Sequence, residues 1–145
     1  MINIYIESNF KGLKGKVDYG YVLEWERPGK DIVTREFFGY IEDTRNRVFL
    51  KLSIESMERI KKPEELHLYV NCDYVAGNAA RKLPEDWLLN GWIKGNGEEI
   101  KNSDLWIEVL KKAEILKPEW HKGRHKYSEW IIRRIEENYR GTTGN

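Results

Sequence analysis

Two strand ends and one basic stretch hold the side chains of this sequence that can do chemistry. Residues 65–80, E-L-H-L-Y-V-N-C-D-Y-V-A-G-N-A-A, begin as a strand, with Leu66, Leu68 and Val70 on one face and His67, Tyr69 and Asn71 on the other. At residues 71–73 the apolar period changes from two to about 3.6, and Tyr74, Val75 and Ala79 start a helix. In an open α/β sheet the carboxyl end of a strand, where it turns into a helix, is the usual place for an acid, a nucleophile or a metal ligand. The residue there is Asn71, an uncharged amide, followed by Cys72 and Asp73. A second strand, with Ile2, Ile4 and Ile6 alternating with Asn3 and Tyr5, ends in the carboxylate Glu7. The basic stretch, residues 117–134, carries Lys117, Lys122, Arg124, Lys126, Arg133 and Arg134 with His121 and His125, against Glu119 and Glu129. That excess suits phosphate groups; its bland reading is a solvated loop and helix face. Cys72 invites a nucleophile reading with His125, but a lone thiol without a visible oriented base reads as inert.

The elements that must position these residues follow from the pattern. Tyr19–Trp25 and Ile32–Tyr40 are β-rich runs joined by the turn signal Arg27-Pro28-Gly29-Lys30. With the first strand they predict a three-strand meander. Between the first two strands, residues 8–18 read as a flexible turn carrying Lys11, Lys14 and Lys16. Asp43-Thr44 can cap a helix whose apolar positions Leu50, Ile54, Met57 and Ile60 recur at helical spacing, ended by Lys61-Lys62-Pro63. The strand and helix of residues 65–80 come next, then a short helix at 84–89 with Pro84 in its first turn. A Gly-rich loop at 91–101 leads to a helix capped by Asn102-Ser103-Asp104 and running through Lys112. Leu116–Trp120 reads as a fifth strand, weakened by Pro118 and so at an edge. The last helix is expected at 127–139, and the tail 141–145 reads as disordered. The order β-β-β-α-β-α-α-α-β-α implies one α/β domain over 1–140. Its five-stranded mixed sheet combines a three-strand antiparallel meander with two parallel strands, and helices cover both faces.

The chain has 145 residues, enough for one domain with a real core, and its six Trp and eight Tyr argue against disorder despite 34% charged residues. A formal net charge of +1 means that the whole-molecule field does not announce a polyanion partner. One cysteine excludes an intramolecular disulfide and fits a reducing compartment. No signal peptide is recognisable and no run approaches 18 apolar residues, so a soluble cytoplasmic protein is expected, with no membrane partner.

The order of elements and three motifs resemble type 1 ribonuclease H. The segment D-W-L-L-N-G-W-I-K-G-N-G-E-E-I-K-N-S-D-L-W, residues 86–106, is similar to the family's G-W-x(4)-G-x(2)-(V/I)-K-N-x-D-L-W run, part of its substrate-binding protrusion and the helix after it. Thr44-Arg45-Asn46-Arg47 is similar to the family's T-N-N-R, and Trp120-His121-Lys122-Gly123 to its W-V-K-G. Tyr19-Gly20-Tyr21 resembles the family's second strand, and the chain looks closest to a compact branch known from phage and mobile-element genomes.

The resemblance implies cleavage of the RNA strand of an RNA–DNA hybrid by two Mg²⁺ ions held in a cluster of four carboxylates. The four positions map to Glu7, Phe49, Asn71 and, at the start of the last helix, Ser128 or Glu129. The family's loop His falls at Arg124 or His125. Two acids are thus replaced, one by a ring that offers no oxygen ligand, and a third is lengthened by one methylene. The expectation is a catalytically degenerate module that binds nucleic acid, an RNA–DNA hybrid or a nucleoprotein complex, without efficient cleavage. No cofactor is expected. A rebuilt Mg²⁺ or Mn²⁺ site would have to use Glu7, Asp73 and Glu129, and would make the protein a weak or active ribonuclease H. Another alternative is a protein-binding module of a phage or mobile element. Candidate nucleic-acid contacts are Asn46, Lys11, Lys14, Lys16, Trp92, Lys122, Arg124, His125 and Lys126; for Trp87, Trp92 and Trp106 the competing role is packing.

Overall fold

The computed structural model describes residues 1–9 and 15–143. Lys11 and Lys14 therefore lie outside the described residues, as do Gly144 and Asn145. Strand β1 (Ile2–Ser8) is the centre of a five-stranded sheet in the order β3-β2-β1-β4-β5. Its partners β2 (Gly15–Trp25) and β3 (Val33–Asp43) complete an antiparallel meander, and β4 (Leu66–Val70) and β5 (Glu119–Lys122) add two parallel pairings. The β2–β3 connection is the expected turn: Lys30 N–H donates to the Arg27 carbonyl at 3.1 Å, and Gly29 takes the positive φ of 69° that follows Pro in such a turn.

Alternation along β1 and β4 divides the core in two. Ile2, Ile4, Ile6, Leu66, Leu68 and Val70 face one side, where α1 (Arg45–Glu58), α2 (Asp73–Ala80), α3 (Leu83–Leu89) and α4 (Ser103–Leu116) build the larger core with Phe49, Leu52, Val75 and Trp106. Tyr5 and Val22 face the other side and pack on Ile131 and Ile135 of α5 (Ser128–Thr143). The expected mixed sheet with helices on both faces is the observed one.

The start of α1 is capped as expected, Thr44 Oγ1 accepting the Arg47 N–H at 3.4 Å. Asn102 precedes α4 differently from the expected cap: at φ 61° its side chain does not bond the helix. Instead Asn102 Nδ2 donates to the Tyr74 hydroxyl at 3.1 Å and its Oδ1 accepts from Arg47 Nη1 at 3.3 Å. An asparagine tolerates that left-handed backbone better than most residues.

Several boundaries differ from the sequence reading. Strand β2 begins at Gly15 rather than Tyr19 and β3 runs to Asp43 rather than Tyr40, because residues 15–18 pair with residues 40–43, so Lys16 lies on a strand and not in the expected turn. Helix α4 runs past Lys112 to Leu116, because Leu105, Val109 and Leu116 share a helical stripe against the core, and it ends where Lys117 turns left-handed before Pro118. Strand β5 consequently begins at Glu119 rather than at Leu116. Helix α5 continues through Thr143 into the stretch expected to be disordered, since an established helix gains one hydrogen bond for each residue added.

Gly20 lets α5 approach the sheet. A Cβ there would stand 2.6 Å from the Phe38 ring and 2.8 Å from Ile131 Cγ2. The substitution Gly20→Ala should lower stability by about 1–3 kcal/mol through overpacking, read as a shift of the urea midpoint.

Candidate functional site

The carboxyl ends of β1 and β4 lie side by side, and their polar residues meet. Asn71 Nδ2 donates to Glu7 Oε2 at 2.9 Å, and Ser8 N–H donates to Glu7 Oε1 at 3.2 Å. Glu7 is buried, 4% exposed, so both carboxylate oxygens need such donors. Parallel pairing of Ile6 with Val70 forces this proximity, because the next residue of each strand is Glu7 and Asn71.

Above this pair sits the first turn of α1. Arg45 Nη2 donates to the Asn71 carbonyl at 2.9 Å, and the guanidinium carbon lies 5.1 Å from the centroid of the Phe49 ring. Phe49 itself is fully buried at the apolar face of α1. A fixed cation thus touches two of the mapped positions. The sequence reading did not single out Arg45, although T-R-N-R in place of T-N-N-R was its visible signal. Asn46 follows it and accepts the Cys72 Sγ–H at 3.7 Å. Burial raises the Cys72 thiol above its ordinary pKa, which fits the inert reading.

The start of α5 completes the constellation. Ser128 is the inward-facing residue, fully buried, with Oγ accepting the His125 N–H at 3.0 Å. Glu129 is exposed and pairs with Arg133 at 3.0 Å. Asp73 lies exposed in the first turn of α2. Glu7, Asp73 and Glu129 form no metal-ligating group among the described residues.

His125 does not stand on a free loop. Its Nε2–H donates to the Ile6 carbonyl at 2.9 Å and its Nδ1 accepts the Tyr127 N–H at 3.3 Å, which assigns the neutral tautomer. Burial pushes its pKa below the ordinary imidazole value despite the Ile6 carbonyl and Glu7 pulling the other way, with Arg124 adding to the depression.

The RNase H family pattern matches residues 2–129. The chain belongs to the ribonuclease H family. It is 30% identical over 131 residues to the Ribonuclease H of Acetivibrio thermocellus, spanning 89% of this chain and 86% of that protein. The Ribonuclease H of Rickettsia bellii is 31% identical over 124 residues, 83% of this chain and 76% of that one. Among solved structures, LC9-RNase H1, a type 1 RNase H with the type 2 active-site motif, superposes with a TM-score of 0.75 at 24% identity over 91% of this chain and 68% of its own. LC11-RNase H1, solved in complex with an RNA/DNA hybrid, gives 0.62 at 14% identity over 92% of each chain. At these identities the structural likeness establishes the ribonuclease H fold.

Within that fold, Lys122 is exposed and stands opposite Val70 in the β4–β5 register, on the same strand-end side as Asn71, with exposed Arg124 just after it. Lys16 is exposed and lies with its ammonium 4.5 Å over the Tyr40 ring. Lys126 has a different partner: its Nζ is 2.6 Å from Glu24 Oε2, a carboxylate only 1% exposed. Tyr127 OH donates to the same oxygen at 3.0 Å and Asn3 Nδ2 to Oε1 at 3.1 Å. Burial opposes ionisation of Glu24, yet these donors outweigh it and hold the carboxyl below its usual range. The sequence reading missed Glu24, because an acid on the polar face of an antiparallel strand reads as solvated. Trp92 packs against Trp87, centroids 6.4 Å apart, and Trp106 is fully buried with Nε1–H donating to Tyr74 OH at 3.0 Å.

Two measurements check this picture. Lys126→Met should cost about 2 kcal/mol in urea unfolding, less than a fully buried pair because the ammonium is half exposed, with Glu24→Gln restoring part of it. A depressed His125 pKa contributes stability that is present above the ordinary value of about 6.5 and lost as pH falls toward the depressed value. Below pH of about 6.5 the native protein should therefore lose up to about 1.4 kcal/mol per pH unit more than His125→Gln.

Proposed function

We propose that this protein binds RNA–DNA hybrids on the ribonuclease H substrate face without efficient hydrolysis. The observation that carries the reading is the bond from Asn71 Nδ2 to Glu7 Oε2. The lone carboxylate among the four mapped positions spends one oxygen on an amide and the other on Ser8 N–H, while Phe49 and Ser128 offer no anionic ligand. Mg²⁺ takes hard oxygen ligands in near-octahedral geometry, and these residues do not fit a pair of such ions. No cofactor is assigned.

In place of an ion the chain supplies Arg45, whose guanidinium is suited to a phosphate oxygen of the hybrid backbone. Lys122 and Arg124 extend the same positive edge, and Asn46 stands beside it for sugar or base-edge contact. Lys16 lies at the start of β2, and Lys11 and Lys14, outside the described residues, belong to the loop that borders this groove in the resemblance.

Family membership supports a second reading, metal-dependent cleavage of the hybrid's RNA strand with Mg²⁺ or Mn²⁺. Relatives named Ribonuclease H, 30–31% identical over most of the chain, favour it. One experiment separates the two. Hybrid, duplex DNA and single strands are incubated with the protein in Mg²⁺ and in Mn²⁺, beside binding isotherms at two salt concentrations. The first reading expects salt-sensitive hybrid binding, no cleavage, and a salt slope reduced by about 1 in Lys122→Gln and in Arg124→Gln. Metal-dependent cleavage that disappears in Glu7→Gln would establish the second. Absence of salt-sensitive binding to any of them would overturn both and leave a protein partner. The double substitution Phe49→Glu with Asn71→Asp should introduce Mg²⁺ or Mn²⁺ binding measurable by calorimetry.

A further inference from the structure

At the opposite end of β4, three side chains with metal-ligand chemistry converge: His67 of β4 with Glu119 and His121 of β5. Parallel pairing sets His67 opposite Glu119 and Tyr69 opposite His121, and the period of two turns these four side chains to one face of the sheet. His67 Nδ1 lies 2.9 Å from His121 Nε2 and 3.3 Å from Glu119 Oε2. One ligand atom from each residue lies within 4.8 Å of the others.

The rings are held in place. His121 stacks on Tyr69 with centroids 4.4 Å apart at 15°, and Tyr69 stacks on Tyr5 at 4.6 Å. His67 Nε2 faces Glu65 Oε2 at 2.9 Å. An ionised carboxylate only accepts, so Nε2 presents a proton to Glu65, and Nδ1 is the ring nitrogen turned toward His121 and Glu119. A proton bridges two of these three atoms; a divalent ion bonds all three. Around tetrahedral Zn²⁺, with Zn–N of about 2.0–2.1 Å, neighbouring ligand atoms stand about 3.3 Å apart, close to the separations His67 makes here.

We infer that His67 Nδ1, His121 Nε2 and the Glu119 carboxylate form a site for a divalent transition-metal ion of the zinc class, with a fourth position open to water. Two imidazoles and one carboxylate suit Zn²⁺, Co²⁺, Ni²⁺ or Cu²⁺ rather than Mg²⁺. Glu65 is the outer partner that fixes the His67 tautomer and ring orientation, the arrangement that ligating histidines usually need. In the ion-free cluster one proton stands between His67 Nδ1 and His121 Nε2, 2.9 Å apart. Uptake of the ion moves that proton to His121 Nδ1, so that Nε2 presents its lone pair.

The site is independent of hybrid binding. Residues 67 and 71 are separated by about 13 Å of strand at about 3.3 Å per residue. Its physical effect is to clamp β5, a four-residue strand that pairs with β4 at the sheet edge, onto the sheet.

The test uses the whole protein, stripped with a chelator, dialysed, and titrated with ZnCl₂ and CoCl₂ by calorimetry and visible absorption. Expected are one ion per chain, visible cobalt bands, and a melting temperature that climbs with ion concentration. Glu65→Gln, which touches no ion, should weaken binding about 10–100-fold, and His67→Gln and His121→Gln should each weaken it at least as much. Should a histidine variant fold poorly, Glu119→Gln provides the same test from an exposed position. His125→Gln should bind the ion as the native protein does. Unchanged affinity in the double variant His67→Gln/His121→Gln would overturn the site. So would the absence of heat and cobalt bands with the ions in large excess, which would mark the cluster as a proton-shared histidine pair.

Discussion

Everything in this molecule hangs on the burial of β1 from both sides. All seven of its residues are buried, the aliphatic ones under α1 and Tyr5 under α5. A central strand covered on both faces cannot slip by one residue, since that would drive Asn3, Tyr5 and Glu7 into the larger core. Its register therefore dictates where Glu7 emerges, which neighbours it meets on β4, and which carbonyl, that of Ile6, is left for His125 to satisfy.

The buried charges divide along that strand. At one end Glu24 is held ionised by Lys126 with hydroxyl and amide donors, a network that ties the start of α5 to β2. At the other end Glu7 meets neutral donors, with Arg45 anchored on the neighbouring Asn71 carbonyl. The same sheet thus uses an ion pair at one end of β1 and an amide–carboxylate pair at the other. Lys126 and His125, basic residues in a phosphate-binding context by sequence, serve the fold by geometry.

Much of the architecture was legible in the residues. Alternation in Ile2–Ile6 and Leu66–Val70, the Thr44 cap and the Pro-Gly turn each report local rules that tertiary contacts did not override. Legibility failed where two periods overlap. Leu116 can be read as the start of a strand or the last turn of α4, and only the core beneath it chooses the helix. The candidate site was half legible: Glu7, Phe49 and Asn71 each lie at a fixed offset from a strand end or helix cap, whereas the Asn71–Glu7 bond and the Arg45 contacts with Asn71 and Phe49 come from the fold.

Sequence alone determined which functional groups exist at those offsets, since side-chain chemistry does not depend on folding: an amide at 71, a phenyl ring at 49, one carboxylate at 7. Tertiary structure decided what each group does. Partners separated by 64 residues for Glu7 and Asn71, 102 to 103 for Glu24 with Lys126 and Tyr127, and 54 for His67 with His121 meet only through strand register and helix docking. Register and docking are collective outcomes of burying both faces of β1, and no local pattern encodes them.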